Sequence, residues 1–347
     1  MKACVLHGIG DLRYEEIPLP ELEPGQVRLR IRACGICGSD LPRVFEKGTY
    51  SFPTVPGHEL AGDIIAAADS ENEGLIGKRA AVFPLMPCFS CGPCSVGEYA
   101  QCESYDYYGS RRDGGFAEYL NVNVWNLVIV PDSVPYELAA MCEPIAVAIH
   151  ALGQGPLYLG DMVVISGAGT IGLIMAQLAV SCGASKVTLL DVDQQRLAYA
   201  KKLGFVYALN TAECDVVQEV QAITGDRGAD LAIEGAGVGA SLQNCLKVAR
   251  NFGRIVLMGN PAGQITLDQK SYWEILRKQL MLKGTWNSCY NLLKNDWRTA
   301  IEAIRDSRLM LEPLITHRFS LLNCNKAFDV LLDKAAFALK VMFVNDS

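Results

Sequence analysis

The glycine-rich segment VVISGAGTIG constrains the fold of this chain more than any other stretch of its sequence. It supplies Gly167, Gly169 and Gly172 in a G-x-G-x-x-G pattern, directly after an apolar strand-like run. The first glycine permits a tight turn, the second lets the backbone approach a pyrophosphate, and the third lets helix and strand pack closely. A helix that begins at Thr170 and Ile171 would also offer free N–H groups to phosphates. The alternative is a glycine-rich turn that binds no ligand, but the strand and helix on either side favour a dinucleotide site.

The chain around this fingerprint alternates between apolar strands and amphipathic helices. Such alternation predicts a parallel, doubly wound sheet, which we place at residues 151–285. The predicted strands are 162–166, 186–190, 229–234, 253–259 and 281–285, and the predicted helices are 171–183, one from about 193, 240–250 and 271–279.

The remainder of the chain has a different pattern. Before residue 150, short β-type runs such as QVRLRIRAC (26–34) and GFAEYLNV (115–122) are separated by Gly and Pro. This density of turn signals predicts a mainly antiparallel, barrel-like domain. The mixed pattern of residues 286–347 suggests that the tail rejoins that first domain. The predicted organisation is therefore one domain from 1–150 and 286–347, with a second inserted between them.

Asp191 ends the strand that follows the fingerprint helix and lies nineteen residues after Gly172. A carboxylate at this place accepts hydrogen bonds from ribose hydroxyls, and it would repel a 2′-phosphate. The sequence therefore predicts NAD rather than NADP as the cofactor. Arg196, five residues further on, either stacks over the adenine or is an ordinary solvated helix residue.

Composition excludes several other classes of protein. A chain of 347 residues is long enough for two domains. Its 31 basic and 38 acidic residues give a net charge of −7, which argues against non-specific nucleic-acid binding. We find no apolar run long enough to span a bilayer, and the first residues become polar too early for a signal peptide. We therefore expect no nucleic-acid or membrane partner and a cytoplasmic location.

Four of the thirteen cysteines fall within one short segment, PCFSCGPCSVGEYAQC. Their C-x2-C-x2-C-x7-C spacing can close a tetrahedral zinc site with no position left for substrate, which predicts a structural zinc lobe at 86–104. An iron–sulfur cluster is the competing metal centre, and a disulfide pair or buried free thiols is the alternative without metal. The predicted ligands are Cys88, Cys91, Cys94 and Cys102.

A second set of possible ligands is scattered along the chain. Cys34 and Cys37 form a C-x-x-C that could be a redox dithiol, but that interpretation leaves His58, Glu59 and Glu143 unexplained. A thiolate, an imidazole and carboxylates together are a plausible catalytic zinc sphere with an exchangeable position.

The motifs CGICGSD, PGHE, the four-cysteine lobe, DGGFAEY, CEP and GAGTIG occur in this order. In this combination the sequence resembles the zinc-dependent medium-chain dehydrogenase family over essentially the whole chain. The segments GSDLPRVF and YGSRRDGGFAEY are most similar to its polyol and polyol-phosphate branch. The resemblance implies a GroES-like, mainly-β catalytic domain built from both chain ends, with a Rossmann NAD domain inserted between them and the zinc lobe as an excursion.

The resemblance also implies roles for single residues. Cys37 and His58 would be zinc ligands, Glu59 a third ligand, and Glu143 either a ligand or the residue that holds the zinc-bound water. Ser39 would relay the alcohol proton. Many relatives carry a histidine three residues after this serine. This chain has Pro42 there, which cannot relay a proton.

The implied reaction is the reversible oxidation of a secondary alcohol to a ketone. Zinc would act as a Lewis acid and the nicotinamide would accept the hydride, so the expected cofactors are NAD and two zinc ions per chain. The preferred substrate is a sugar alcohol or its phosphate. The alternatives are an unphosphorylated polyol or vicinal diol, a hydroxy amino acid such as threonine, or a non-catalytic protein that binds NAD and zinc. Relatives imply a homodimer or homotetramer, commonly paired through the final strand of the NAD domain.

Substrate residues are predicted on charge and position alone. Four cations could attract a phosphate, or each could be a solvated loop charge. Trp286 could form a wall of the pocket beside Asn287, or it could be an ordinary core tryptophan. The four cations are Arg43, Lys47, Arg111 and Arg112.

Overall fold

The protein is described by a computed structural model that covers residues 1–261, 263–333 and 335–345. The chain folds into two compact units. Unit 1 contains Met1–Ala146 and Cys289–Ser347, and unit 2 contains Val147–Ser288. The sequence-based boundaries at 150/151 and 285/286 lie a few residues from these. Within the described ranges, no helix combines the length and the apolar character needed to cross a membrane.

The main sheet of unit 1 has seven strands in the order β16-β17-β3-β4-β5-β9, with β8 also paired to β3. All its pairs are antiparallel except β16 with β17. A separate antiparallel pair is formed by β1 and β2, and another by β6 and β7. The strands are β1 (Lys2–Gly8), β2 (Asp11–Glu16), β3 (Gln26–Ile36), β4 (Glu59–Ala67), β5 (Arg79–Val82), β6 (Leu85–Met86), β7 (Asp106–Tyr107), β8 (Tyr119–Asn123), β9 (Leu127–Val130), β16 (Ile315–Phe319) and β17 (Lys340–Val344).

The alternating sequence of β3 explains its central place in this sheet. Val27, Leu29 and Ile31 are buried and alternate with partly exposed arginines, so one face of the strand packs on the core. The core is closed by residues from the far end of the chain, including Phe328 and Phe343. The helices of this region are α1 (Asp40–Pro42), α2 (Gly92–Ser95), α3 (Tyr136–Ala140), α4 (Cys142–Gln154), α10 (Asp296–Arg305) and α11 (Cys324–Leu332).

Unit 2 contains a six-stranded, all-parallel sheet in the order β12-β11-β10-β13-β14-β15. Numbered within the unit this is 3-2-1-4-5-6, the doubly wound order of dinucleotide-binding folds. The predicted fold class is therefore confirmed. The elements are β10 (Met162–Ser166), α5 (Thr170–Ser181), β11 (Lys186–Asp191), α6 (Gln194–Lys202), β12 (Tyr207–Asn210), α7 (Val216–Thr224), β13 (Ala229–Glu234), α8 (Gly239–Val248), β14 (Ala249–Leu257), α9 (Gln269–Lys278) and β15 (Met281–Gly284).

The sequence analysis missed the strand and helix at β12 and α7. The strand is only four residues long, and the helix contains several β-branched residues, which weaken its propensity. Its ends nevertheless carry ordinary signals. The Asp215 side chain accepts hydrogen bonds from the N–H groups of Val217 and Gln218, and the helix stops at Gly225 in the left-handed conformation.

The strand predicted at 115–122 begins four residues later than expected. The N–H groups of Gly114, Gly115 and Phe116 donate instead to the carbonyl oxygens of Val55, Gly57 and Pro56. This segment is therefore tied to the one that carries His58 rather than to β3, which matters for the site described next.

Candidate metal centre and cofactor site

Three side chains with metal-binding atoms converge in unit 1. The ligand atoms of Cys37, His58 and Glu59 all lie within 4.8 Å of one another. Cys37 follows the end of β3, Glu59 begins β4, and the two strands pair Gly35 with Glu59. A thiol, an imidazole and a carboxylate are all donors that zinc accepts, so this trio fits a zinc ion with an open fourth position.

The bend that lets neighbouring His58 and Glu59 share one cluster lies at Gly57. Its φ of +98° is a left-handed value that favours glycine, and a Cβ there would lie 2.4 Å from the Phe116 ring. Two more glycines lie close to Gly57. A Cβ at Gly109 would lie 2.4 Å from the Gly57 carbonyl oxygen, and one at Gly114 would lie 2.1 Å from it. The backbone of the 107–116 loop is thus in direct contact with the ligand segment.

Asp40 lies behind His58 and is fully buried. Its Oδ1 is 3.5 Å from the His58 Nδ1, which has no well-aligned hydrogen bond, and its other oxygen accepts the Cys37 N–H at 2.9 Å. Burial lowers the pKa of His58, but Asp40 and Cys37 together outweigh it and raise that pKa well above the usual range. With Nδ1 facing a carboxylate, Nε2 is the nitrogen left for a metal. Arg43 forms an ion pair with the same aspartate.

Glu59 forms a buried ion pair with Lys340, the first residue of β17. The Lys340 Nζ lies 2.7 Å from the Glu59 Oε1, also contacts Oε2, and donates to the Ile36 carbonyl at 3.2 Å. Burial lowers the pKa of Lys340, but Glu59 together with the charges of Cys37 and Glu143 outweighs it and raises that pKa. A Cβ at Gly35 would lie 2.2 Å from the Glu59 Oε2, so the carboxylate occupies space that only glycine leaves open.

Glu143 and Ser39 lie next to this cluster but are not part of it. Glu143, in the first turn of α4, is buried, which raises the pKa of its carboxyl to about 7; His58 opposes this shift and Glu59 adds to it. Ser39 is half-buried, and its backbone N–H donates to the Cys37 sulfur at 3.5 Å. Both residues therefore border the trio, Ser39 through its backbone N–H and Glu143 through its interactions with His58 and Glu59.

Tyr107 contacts the cluster through the His58 ring, edge to face, with 5.7 Å between ring centroids. Burial raises the pKa of the Tyr107 phenol well above its usual range, and the charges of Glu143 and Cys37 raise it further, while Arg43 opposes them. The hydroxyl is therefore a neutral hydrogen-bond donor.

The four-cysteine lobe forms a second cluster whose ligand atoms lie within 4.8 Å of one another. The Cys88 and Cys94 sulfurs are 4.0 Å apart and the Cys91 and Cys102 sulfurs 3.9 Å apart. These separations are close to the ~3.8 Å edge of a tetrahedron with Zn–S bonds of about 2.3 Å, and far too long for disulfides. The Ser90 hydroxyl and N–H both donate to Cys88 and lower the pKa of its thiol to about 6, which favours the metal-binding thiolate.

In unit 2 the fingerprint glycines form a tight turn between β10 and α5. Gly167 has φ +111°, and a Cβ at Gly172 would lie 1.9 Å from the Gly167 carbonyl oxygen. Asp191 ends β11 and accepts three backbone N–H groups, from Ala168, Val192 and Asp193. α5 begins directly after this turn, at Thr170 and Ile171, and a helix N-terminus of this kind offers N–H groups to phosphates.

Comparison with known families covers both units. Residues 170–306 match the family of zinc-binding dehydrogenases, and residues 23–132 match the alcohol dehydrogenase GroES-like domain. The chain belongs to the zinc-binding dehydrogenases. It is therefore an oxidoreductase with zinc and a nicotinamide cofactor, as predicted.

Two curated relatives and one crystal structure place this dehydrogenase near polyol enzymes. Galactitol 1-phosphate 5-dehydrogenase of Escherichia coli K12 is 38% identical over 322 residues, 92% of this chain and 93% of that one. Sorbitol dehydrogenase of Bacillus subtilis 168 is 32% identical over 348 residues, 99% and 96% of the two chains. The crystal structure of galactitol-1-phosphate dehydrogenase from Escherichia coli has a TM-score of 0.92 at 37% identity, covering 99% of this chain and 100% of that one. The predicted resemblance to this branch is confirmed.

The predicted substrate residues of the dehydrogenase differ sharply in their surroundings. Arg43 is paired with Asp40, Arg112 is paired with Asp106, and Lys47 is exposed. Arg111 lies over two tyrosine rings, those of Tyr50 at 4.3 Å and Tyr105 at 4.4 Å, and it has no carboxylate partner in the part of the chain that the structure describes.

The predicted residues Trp286, Asn287 and Arg196 lie in unit 2. Trp286 is 54% exposed, which rules out the alternative of an ordinary core tryptophan. Asn287 has φ +56° and accepts a hydrogen bond from the Ser288 hydroxyl. Arg196 lies beside Gly169 and is 3.5 Å from Asp193.

Sequence reasoning missed Asp40, Lys340 and Tyr107. Asp40 belongs to the quoted CGICGSD motif, so its position was a signal that could have been used. Lys340 is 281 residues from Glu59, and nothing in its local sequence links the two. Tyr107 follows the cysteine lobe without any pattern that connects it to His58.

Proposed function

We propose that this dehydrogenase reversibly oxidises a secondary hydroxyl of a sugar alcohol phosphate, such as galactitol 1-phosphate, to the corresponding ketose phosphate, with NAD as the cofactor. The observation that carries the phosphate part of the proposal is Arg111, a fixed cation whose charge no carboxylate neutralises among the described residues. The named relative supports the same substrate class.

Cys37, His58 and Glu59 would hold the catalytic zinc, and the four lobe cysteines would hold the structural one. When bound, zinc supplies a Lewis acid at the substrate hydroxyl, and the nicotinamide supplies the hydride acceptor. Glu59 would contact both the zinc ion and Lys340 in this scheme. Because Lys340 contacts both of its oxygens, Glu59 is a weak ligand that can exchange with Glu143 or water.

The chain's own residues handle the proton and the orientation of the ligands. The Ser39 hydroxyl accepts the proton of the substrate alcohol, as the resemblance implies. Asp40 faces the Nδ1 of His58 and thereby fixes the imidazole ring, since buried carboxylates commonly orient metal-binding histidines. Pro42 has no group that can take the proton further, so a bound cofactor or water would have to supply the next acceptor.

Arg111 is preferred over the other cations as the phosphate ligand. Its Nη1 donates to the Tyr105 carbonyl at 2.9 Å and its Nη2 lies 3.4 Å from the Tyr50 hydroxyl, so the planar group is held in one orientation. Its remaining N–H groups can form the bidentate fork that phosphate oxygens accept. The Tyr105 ring also contacts the Tyr107 ring at 6.3 Å, which links Arg111 to the ligand cluster through adjacent aromatic side chains.

NAD rather than NADP is proposed because Asp191 places a carboxylate at the end of β11. A homodimer or homotetramer is proposed through β15, which is an edge strand with Met281 59% exposed. Light scattering after gel filtration tests this, and a monomer would contradict it. A cytoplasmic location is supported by the absence of any disulfide among the thirteen cysteines.

The test is a panel of alcohols with NAD or NADP, followed by NADH absorbance, with and without a zinc chelator. We expect turnover of galactitol 1-phosphate that exceeds that of galactitol, sorbitol and threonine, and that is lost with the chelator. Equal or better turnover of an unphosphorylated alcohol would contradict the phosphate assignment. No turnover of any alcohol by zinc-loaded protein would contradict the enzymatic function and favour a non-catalytic role.

Two variants separate the candidate phosphate ligands. Arg111→Gln should raise KM for the phosphorylated substrate by about 10- to 100-fold, because a charged hydrogen bond contributes about 1.5–3 kcal/mol. Arg112→Gln removes the same charge from a neighbouring residue that is already paired with Asp106, and should change KM little. The reverse order would assign the phosphate to Arg112.

A further inference from the structure

Tyr107 lies beside the metal-ligand cluster, against His58. Its ring lies against the His58 ring, while its hydroxyl has no hydrogen-bond partner among the residues that the structure describes. This distinguishes it from Tyr108, whose hydroxyl accepts the Asn123 N–H at 3.1 Å, and from Tyr136, whose hydroxyl contacts Asp63.

The position of Tyr107 is fixed by its backbone. Its N–H is bonded to the Asp106 carboxylate at 2.9 Å, and its carbonyl accepts the N–H groups of Arg111 at 3.0 Å and Arg112 at 3.1 Å. The loop that follows is pinned to the His58 segment, because the Gly115 N–H donates to the Gly57 carbonyl at 2.8 Å. Tyr107 is therefore placed relative to His58 by main-chain contacts rather than by a flexible side chain.

The surroundings of the hydroxyl define what it can bind. The Tyr107 ring lies edge to face against the His58 ring, so its hydroxyl belongs to the immediate surroundings of the ligand cluster. A phenol hydroxyl beside a metal-ligand cluster can donate a hydrogen bond to an uncharged hydroxyl of a bound substrate.

We propose that Tyr107 is a substrate-binding residue whose hydroxyl donates a hydrogen bond to the hydroxyl group on the carbon next to the reacting one. This inference rests on the proposed function, because it concerns the polyol part of the same substrate. It explains how the site distinguishes a polyol from a simple alcohol. A polyol has a hydroxyl beside the reacting carbon that can accept this hydrogen bond, whereas a simple secondary alcohol has none.

The test compares Tyr107→Phe with Tyr119→Phe, an identical change in β8 outside the cluster. Phenylalanine keeps the ring that packs on His58 and removes only the hydroxyl. For the polyol that the panel identifies as substrate, we expect kcat/KM of Tyr107→Phe to fall about 10- to 100-fold. Zinc content, melting temperature and NADH affinity should match the wild type, and Tyr119→Phe should match it in every measurement.

A second measurement isolates the hydroxyl contact. 2,3-Butanediol and 2-butanol differ by one hydroxyl beside the reacting carbon, and the wild type should prefer the diol. In Tyr107→Phe the preference should shrink toward one. Unchanged kcat/KM with the polyol, or an equal loss on both butanols, would overturn the inference. A wild-type enzyme that oxidises no alcohol would instead refute the proposed function.

Discussion

The two ligand clusters of this dehydrogenase differ in every respect that matters for their roles. The lobe takes four sulfurs from a single segment between Cys88 and Cys102, and the Cys88 sulfur accepts hydrogen bonds from the Ser90 N–H and hydroxyl. The other cluster combines a thiol just after β3 with an imidazole and a carboxylate at the start of β4, and charged residues surround it. The first arrangement is closed and uniform. The second keeps an open position and a ligand, Glu59, that is shared with a lysine.

The comparison teaches how ligand choice separates stability from chemistry. A closed sulfur site can only hold a loop together, because no position remains for a substrate. A mixed site with a shared carboxylate can exchange one ligand without losing the others. A lobe variant that loses turnover, or a variant of the mixed site that loses only stability, would therefore contradict this division of roles.

The largest effect is expected for Cys37→Ser, which should lower turnover by at least about 1000-fold because the open site loses its thiolate. Zinc content should fall from about two ions per chain to about one. NADH binding, followed by fluorescence, should persist because the fingerprint lies in unit 2. Near-normal turnover would mean that Cys37 is not a catalytic ligand.

Cys91→Ser should instead act on stability. Losing one of four sulfurs opens the lobe, so we expect lower solubility and a lower melting temperature, with about one zinc ion remaining per chain. Protein that stays folded should retain turnover. Cys182→Ser, at an exposed free thiol, is the matched control and should behave as wild type. Loss of turnover without loss of stability in Cys91→Ser would reverse the assignment of the two clusters.

Lys340→Met tests whether Glu59 is restrained by its ion pair. In zinc-free protein the change leaves the buried Glu59 carboxylate without its partner. The free energy of unfolding should then fall by about 3–5 kcal/mol in urea titrations. Bound zinc should offset part of this loss, because Glu59 then gains a cation. The double variant with Glu59→Gln should recover stability. Lys2→Met removes an exposed partner of Glu16 and should have no measurable effect.

The smallest effect is expected for Asp40→Asn, which keeps the shape of the side chain but removes the charge that faces His58. Zinc affinity at the mixed cluster should fall about 10- to 100-fold in a chelator competition assay. The lobe should keep its metal, so one of the two ions becomes easier to extract. Equal release of both ions would indicate that Asp40 does not orient His58.

The sequence could predict features that lie within one short segment. It could not predict contacts between residues that are far apart in the chain. The four cysteines and the fingerprint glycines each lie in one short segment, so spacing alone identified them. The trio of Cys37, His58 and Glu59 needed the family resemblance, because its members are separated by a loop and a bend. Lys340 could not be foreseen, since β17 and β4 pair on either side of β3 and only this arrangement brings Lys340 to Glu59.

The contact of Gly57 with Gly109 and Gly114 has a practical consequence for protein engineering. The loop 107–114 carries both proposed substrate contacts, Tyr107 and Arg111. It contacts the ligand segment through Gly109 and Gly114, which have no side chains. A library that keeps the glycines and randomises the intervening residues would alter substrate preference while leaving the metal-binding segment in place. The loop can therefore be exchanged between relatives, provided that Gly109 and Gly114 are kept with it.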